Sequence, residues 1–480
     1  MIRPVYKQNI LFGLLSGIFI LVIAVAAYTE LYLLAIVPVL LLFFYAGWQN
    51  RNTVFFLLML TLPVSFEYKL SPGLGTDIPD EFLMVFVSGL FLAWWLYTPK
   101  ALSKNILQHP LLLLLLTGFI WSLATVSFST NQLISLKFIL AKSWYLGAFV
   151  LAPLIIFREK KHIAMVATLL AVSMLIITSI SLIKHSTNGF SFAFINKAIS
   201  PFFRNHVNYS AMLVCMIPLL FAFFKFGKTR NTRIAVALAI VTMLTALFFS
   251  YSRGAWLALL AGLTAWWLIQ KKALLVSYVI ALIFAIGSLF WIKSDNRYLR
   301  YAHDYRTTIF HKNFREHFIA TYQLKDVSTA ERFYRWIAGV RMLKENPLTG
   351  FGPNTFYDNY KPYGIPAFKT WVSDNKDHST IHNYFLLIAI EQGIPGLLFF
   401  LVLSGAMLYY AQYLIHRVKD VFYKTVAVTT GVVLTMIIVV NFLSDLIETD
   451  KIGSLFFLCL STLLITDINT RAEKQPSTNQ

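Results

Sequence analysis

The chain has 480 residues, of which 58% are hydrophobic and 13% are charged, and its mean hydropathy is +0.65. Soluble domains average about 45–50% apolar and about 25% charged residues. The composition therefore excludes a soluble globular enzyme, a disordered tail protein and a secreted disulfide scaffold. A net charge of +19 would ordinarily suggest nucleic-acid binding. Here the cations are scattered between apolar blocks, which indicates a multi-spanning membrane protein.

Apolar runs of membrane-spanning length follow one another along the chain. A bilayer core of about 30 Å needs roughly 20 apolar residues as helix, and a lipid-exposed backbone must satisfy its own polar groups. We expect an all-α, polytopic helical bundle of about 12–14 transmembrane helices, with one large external loop that contains amphipathic helices. The predicted spans are 9–27, 31–47, 53–66, 82–98, 110–127, 138–157, 163–183, 207–224, 234–250, 255–270, 274–292, 382–414, 424–443 and 452–467.

Charge in the short loops predicts the orientation. Cations concentrate in alternate loops, beginning with Arg51 and continuing through Arg158 to Arg417, as the positive-inside rule requires of cytoplasmic loops. We therefore expect an inner-membrane protein with both termini in the cytoplasm and the first run retained as a signal anchor. The predicted divisions are N-terminal helices 1–206, helices 207–292, a large periplasmic loop 293–381, C-terminal helices 382–467 and a cytoplasmic tail 468–480.

Cations also occur on the external side, where the rule gives no reason for them. The 184–206 loop contains Lys184, Lys197, Arg204 and His206 and no acid. Arg253 lies between two apolar runs with almost no loop between them. A guanidinium at that boundary is costly unless it has a partner, so Arg253 either has a function or snorkels to lipid headgroups.

The external segment has recognisable local structure. Ser328 and Glu331 have the spacing of a capping box at a helix start. The helix that follows places aromatic and aliphatic residues on one face and arginines off that face, which suits a membrane interface. The apolar face comprises Phe333, Trp336, Ile337, Val340 and Leu343, and the arginines are Arg332, Arg335 and Arg341. The 350–353 run ends this helix as a turn.

Four further ionisable groups lie in or beside the spans. His378 and His382 are four residues apart, but the residue after the first is Ser379 rather than the Glu of a zinc protease, so we expect no metal. A histidine at this boundary is suited to act as a general base, and His378 is the better helix cap. Glu391 and Lys142 lie within predicted spans, which makes both of them secondary site candidates.

Chemistry on the external face is limited by the supply of activated donors. The chain has no Walker loop or Rossmann fingerprint, so a transferase there needs a donor that is already activated and already in the membrane. A lipid-linked diphosphate sugar meets that need. Bidentate arginine suits its diphosphate, and two arginines could replace a metal ion.

Three motifs in order resemble the bacterial O-antigen ligase and O-antigen polymerase superfamily. The first is Tyr-Ser-Arg-Gly-Ala-Trp-Leu-Ala at 251–258. The second has Arg332 four residues before Trp336, followed by a Pro-Leu-x-Gly-x-Gly turn at 347–352. The third is the His-Asn-Tyr-Phe-Leu stretch at 382–386 with Glu-x-Gly-x-x-Gly after it. The resemblance covers about 236–405.

The resemblance implies a membrane-embedded glycosyltransferase that works without metal or another cofactor. Arg253 would bind the diphosphate of an undecaprenyl-diphosphate-linked glycan, with Arg204 and Arg332 as further contacts. His382 would act as base or position the acceptor, for which the lipid A core or another glycan hydroxyl is expected. Membrane lipids are the other expected partner, and nucleic acid is not.

Several functions share these motifs. A ligase transfers the finished polysaccharide to the lipid A core, a polymerase extends it on its carrier, and a protein O-oligosaccharyltransferase uses Ser or Thr. A flippase or transporter is the alternative of another class, for which paired broken helices would be expected. The single large loop favours the ligase.

Overall fold

The computed structural model describes residue 17 and residues 36–71, 74–294, 327–365 and 380–472. Its elements up to residue 199 are α1 Ile36–Gln49, α2 Arg51–Thr61, β1 Phe66–Ser71, β2 Leu74–Ile78, α3 Asp80–Tyr97, α4 Lys104–Leu107, α5 Pro110–Thr125, α6 Gln132–Leu146, α7 Ala152–Ile156, α8 Lys160–Ser186 and α9 Ile195–Ile199. The remainder are α10 His206–Phe226, α11 Arg230–Phe248, α12 Arg253–Gln270, α13 Leu274–Lys293, α14 Val327–Glu345, α15 Phe356–Asn359, α16 Tyr384–Arg417, α17 Val421–Phe442 and α18 Asp450–Ala472.

The fold class is confirmed as a polytopic helical membrane protein. In the described part of the chain, ten helical segments are long and apolar enough to cross a membrane. They correspond to the predicted spans 82–98, 110–127, 138–157, 163–183, 207–224, 234–250, 274–292, 382–414, 424–443 and 452–467. A π-helical turn, Gly147–Leu151, joins α6 to α7 within one of them.

Four predicted spans fare differently. The span 9–27 lies outside the described residues except for residue 17, and 31–47 is described only from Ile36. The predicted span 53–66 is wrong, because α2 has 11 residues and the chain is already in a strand at Phe66. The predicted span 255–270 is the 18-residue helix α12, which begins on Arg253 and packs along α17.

A β-hairpin that the sequence analysis did not predict follows α2. Strands β1 and β2 are antiparallel, with Phe66 opposite Ile78 and Glu67 opposite Asp77. The hairpin lies directly before α3, whose first residue is the fully buried Asp80. It therefore places two acidic side chains beside the start of a membrane span.

Contacts between loops divide the bundle into two ends. At one end, which we call the motif end, hydrogen bonds join the segment 187–205 to the 249–252 turn and to Lys451, and join Tyr384 to Ser444. The hairpin reaches the same end through the Glu67–Arg204 pair. Thr130 also joins this end, because its N–H donates to the Phe351 carbonyl over 2.9 Å. Cation–acid pairs such as Lys160 with Asp420 lie at the opposite end. All three sequence motifs are thus gathered at one end of the bundle.

The long helix α16 is kinked where it meets the 347–352 turn. Gly393 has a φ of 72°, and Ile394 donates its N–H to the Pro347 carbonyl over 2.7 Å. A β-carbon on Gly393 would lie 2.0 Å from the Leu348 carbonyl oxygen, and one on Gly350 would lie 2.5 Å from the Glu391 backbone. The second and third motifs therefore pack against each other backbone to backbone, and both glycines are required by that close approach.

Replacing Gly393 by Ala should destabilise the protein, since the new methyl group would collide with the Leu348 carbonyl and the positive φ would become strained. The backbone strain alone costs on the order of 1–3 kcal/mol. Thermal unfolding of the purified protein in detergent measures the effect as a lower apparent melting temperature. Gly89→Ala is the matched control, because that helical glycine has no heavy atom within 4 Å of an added β-carbon. We call the close approach of the Gly350 turn and the Gly393 kink the interlock. Equal melting temperatures for the two variants would contradict it.

Candidate functional site

The loop between the last two spans lies at the centre of the motif end. α17 ends at Phe442 and α18 begins at Asp450, so the connection is short. We call residues 443–451 the hub loop, because it contacts the segments that carry His382, Arg253, Arg204 and Lys142. Two of its acids, Asp445 and Glu448, face His382 and Lys142, as a partly desolvated charge at a membrane boundary requires.

His382 is held at a sharp corner just before α16. Its backbone has a φ of 56°, and the next residue, Asn383, caps the helix by accepting from the Leu386 N–H over 2.9 Å. The imidazole Nδ1 lies 3.8 Å from Asp445 Oδ1, and 39% of the side chain is exposed. Tyr384 donates its N–H to the Ser444 carbonyl over 3.0 Å. His382 is therefore accessible while its backbone is fixed to the hub loop.

Helix α14 holds the residues just before His382. Arg335 is 2% exposed and donates from Nη1 to the Thr380 carbonyl over 2.8 Å. Trp336 donates from Nε1 to the Ile381 carbonyl over 3.1 Å. Thr380 in turn donates its hydroxyl to Asp445. Two side chains of the external segment therefore set the path of the chain into the His382 corner.

The predicted helix at 328–345 is confirmed, but its buried face is not the predicted one. The residues buried against the protein are Glu331, Tyr334, Arg335, Ala338 and Met342, whereas the predicted apolar face is only partly buried. The reason is electrostatic pairing, because Arg335 lies 3.2 Å from Glu331 and can be buried with it. Arg332 is half-buried on the next face. The Ser328 side chain lies outside the described part.

Arg253 is the first residue of α12 and is half-buried. The turn before it has Tyr251 at a φ of 57°, and the Tyr251 hydroxyl donates to the Phe190 carbonyl over 2.5 Å. Burial raises the pKa of Tyr251, so this hydroxyl remains a neutral donor. A β-carbon on Gly254 would lie 3.7 Å from Leu443 Cδ1. The Arg253 turn is thus fixed between the 187–205 segment and the hub loop.

Arg204 is the most exposed of the predicted arginines. Its side chain is 62% exposed, and its Nε lies 3.8 Å from Glu67 Oε2 on the hairpin. Asn205 follows it and caps α10 by accepting from two backbone N–H groups at 3.0 Å. Phe202 lies two residues before Arg204, and its carbonyl accepts from Lys451 over 2.5 Å. The backbone near Arg204 is therefore anchored to the hub loop, and its guanidinium stays accessible.

Lys142 pairs with an acid of the hub loop. Its Nζ lies 2.8 Å from Glu448 Oε2, with the two side chains 12% and 22% exposed. The same ammonium lies 5.2 Å from the ring of Tyr145. Lys142 is therefore a paired charge at the polar end of an apolar surface.

That surface is a groove between α5, α6, α16 and α18. Its lining is mostly aliphatic and aromatic, with the Lys142–Glu448 pair as its charged part. Representative lining residues are Leu115, Phe119, Phe399 and Phe456. The groove thus joins an apolar surface within the bundle to the charged loops of the motif end.

Glu391 has a structural role in the interlock. It is 5% exposed and accepts from the Asn354 N–H over 2.8 Å and from the Phe356 N–H over 3.1 Å. Its carboxylate thereby caps α15 and satisfies backbone donors of the 350–356 turn. Both carboxylate oxygens are engaged in this way, so Glu391 positions the external segment. His378 lies outside the described residues.

The structure brings His382, Lys142 and the segments of Arg253 and Arg204 to one loop, whose own acids the sequence analysis did not select. Asp445 and Glu448 are not among the predicted site residues, and Arg335 is predicted only as a residue off the apolar face. One signal was available in the sequence. Acids in an external loop beside boundary cations are the partners that those cations need.

Removing Lys142 alone should destabilise the protein, because Glu448 would be left as a partly buried unpaired charge. We expect Lys142→Met to cost roughly 1–3 kcal/mol, less than a fully buried pair would. The double variant Lys142→Met with Glu448→Gln should recover much of that loss. Thermal unfolding of both single variants and the double variant gives the coupling. Additive effects would show that the pair contributes nothing.

Two comparisons with known proteins give matches. Residues 238–401 match the O-antigen ligase family model. The chain is 27% identical over 220 residues to an O-antigen ligase of Salmonella typhimurium, an alignment covering 44% of this chain and 49% of that protein. The chain thus spans about half the length of the curated relative. Both matches agree with the three motifs, and residues 238–401 resemble the O-antigen ligase family.

Proposed function

We propose that the protein is a ligase-like membrane glycosyltransferase. It transfers glycan from an undecaprenyl-diphosphate-linked donor to an acceptor hydroxyl, for which the lipid A core is the first candidate. The observation that carries the proposal is that the His382 corner and the Arg253 turn lie beside one loop, where Asp445 is 3.8 Å from His382 and Leu443 lies next to Gly254. A base and a diphosphate-binding cation are the two parts that this reaction needs.

Donor binding uses the cations and the groove. Arg253 and the exposed Arg204 belong to segments that meet through the Tyr251–Phe190 contact. Guanidinium groups bind diphosphate oxygens through paired, charge-assisted hydrogen bonds. The half-buried Arg332 is a further contact from α14. The apolar groove, which ends at Lys142, offers a surface that suits a polyprenyl chain.

Transfer proceeds by direct displacement at the anomeric carbon. His382 accepts the proton of the acceptor hydroxyl, whose oxygen forms a bond to the anomeric carbon. The bond from that carbon to the diphosphate oxygen breaks, and undecaprenyl diphosphate leaves with the electron pair. The configuration at the anomeric carbon is inverted. Arginine stabilises the charge that develops on the leaving group, so the chemistry requires no metal ion. Asp445, 3.8 Å from Nδ1, orients the imidazole and stabilises its protonated form.

The proposed site faces the periplasm. The opposite end carries the Lys160–Asp420 pair and the basic short loops that the positive-inside rule assigns to the cytoplasm. The motif end is then external, where lipid-linked glycans are the available activated donors. An even number of spans puts both termini in the cytoplasm.

A deletion strain examined on a lipopolysaccharide gel tests the function. We expect bare core with accumulating lipid-linked polymer, which is the ligase outcome. Core that bears a single repeat unit would indicate a polymerase instead, and unchanged lipopolysaccharide would indicate another glycan or a protein acceptor. Arg253→Ala and His382→Ala should each fail to complement, with at least about a 100-fold loss of transfer. Both should still insert in the membrane.

Arg341→Ala is the matched control in that strain. Arg341 is an exposed arginine on the same helix as Arg332, and it donates to the Tyr363 carbonyl over 3.1 Å. It should complement fully. Wild-type transfer by the Arg253 and His382 variants would overturn the proposed site.

Asp445→Asn should lower turnover without weakening donor binding, because Asp445 acts through His382 rather than on the diphosphate. We expect about a 100-fold lower kcat, as follows from a misplaced or wrongly oriented base, with the donor KM unchanged. Steady-state transfer by the purified enzyme separates the two constants. A higher donor KM at unchanged kcat would show that Asp445 shapes the binding site instead.

A further inference from the structure

Three aspartates meet at the motif end, and none of them is assigned a role in glycan transfer. Asp77 is on β2 of the hairpin, Asp80 is the first residue of α3 and Asp450 is the first residue of α18. Each offers a carboxylate oxygen, and these oxygens lie within 4.8 Å of one another. Three carboxylates this close repel one another strongly unless something positive lies between them.

Lys451 supplies charge nearby but no hydrogen bond to the cluster. Its ammonium has three donors, and these are directed at three backbone carbonyls. The acceptors are Pro63 and Ser65 at 2.9 Å and Phe202 at 2.5 Å. With all three donors used, Lys451 reduces the charge of the cluster from three negative charges to two. One divalent cation would balance these two negative charges.

The side chain of Asp80 gives independent evidence for a bound cation. The residue is fully buried, and Oδ1 accepts from the Glu81 N–H over 3.0 Å. Oδ2 is buried and has no hydrogen-bond partner among the residues that the structure describes. A buried carboxylate oxygen without a partner is costly, and Asp80 is one of the three residues whose carboxylates group together here.

We propose that Asp77, Asp80 and Asp450 bind one calcium ion that ties the β-hairpin to the starts of α3 and α18. Hard oxygen ligands of this kind suit Ca²⁺ and Mg²⁺. Mg²⁺ is usually held by one or two carboxylates and keeps several waters, whereas Ca²⁺ takes more oxygen ligands in a flexible geometry. Three carboxylates therefore favour calcium, and water completes its shell.

The ion would act on structure rather than on chemistry. Glu67, which is opposite Asp77 in the hairpin, lies 3.8 Å from Arg204. Fixing the hairpin therefore fixes the acid that faces Arg204. Calcium binding and its effect on folding can be measured without any glycan substrate, so this inference stands or falls independently of the proposed function.

Equilibrium dialysis of the full-length protein in detergent against ⁴⁵Ca²⁺, after removal of bound ions with EGTA, tests the proposal. We expect one ion per chain, with a dissociation constant of about 0.1–1 mM as in extracellular modules. Millimolar Ca²⁺ should raise the apparent melting temperature of the wild type by several degrees, and millimolar Mg²⁺ should raise it less. Glycan transfer well below that temperature should continue in EGTA.

Asp77→Asn and Asp450→Asn should abolish both the bound calcium and the calcium-dependent stabilisation. Glu159→Gln is the matched control, since Glu159 is 57% exposed and pairs with Lys161; it should behave as the wild type. Equal calcium binding by the wild type and Asp77→Asn would overturn the proposal. It would also fail if calcium left the wild type unchanged and Asp77→Asn were more stable with or without the ion, since the aspartates would then share protons.

Discussion

The arrangement depends on pairing charge at the boundary of the membrane. A cation or an acid there is stable only with a partner, and the short hub loop supplies partners in several directions. Asp445 faces His382, Glu448 pairs with Lys142, and Lys451 binds the Phe202 carbonyl two residues from Arg204. Because the loop connects two well-buried spans, these partners have little freedom to move. The proposed site is therefore assembled on the last two helices of the bundle, although the motifs lie elsewhere in the chain.

Preorganisation is the functional value of such an assembly. Displacement at an anomeric carbon needs a base and a cationic diphosphate site at fixed separation, and small misplacements lose much of the rate. Arg335 and Trp336 hold the backbone before His382, and the Tyr251 hydroxyl holds the Arg253 turn. These contacts involve backbone carbonyls, so they fix the path of the chain and leave the reacting side chains accessible.

The sequence predicted the helical membrane fold because hydropathy and span length follow directly from the thickness of the bilayer. The turn at 350–353 was also predicted. Its contact with the kink at Gly393 was not, since a close approach between distant backbones leaves no periodic pattern. The hairpin was not predicted because Phe66 continues an apolar run. The buried face of α14 was not predicted because Arg335 is buried with Glu331. The position of Asp445 beside His382 could not be predicted, because the sequence does not show which loops meet.

The interlock of Gly350 with the kink at Gly393 makes two motifs of the sequence one unit in space. Glu391 completes it by binding the N–H groups of Asn354 and Phe356. If segments are swapped between related proteins, the external segment and the first turns of α16 must therefore be swapped together. A chimera that took the 327–365 segment from one parent and the kink from another would join surfaces shaped for different partners. Acceptor preference, where the external segment determines it, is inherited with the helix to which that segment is attached.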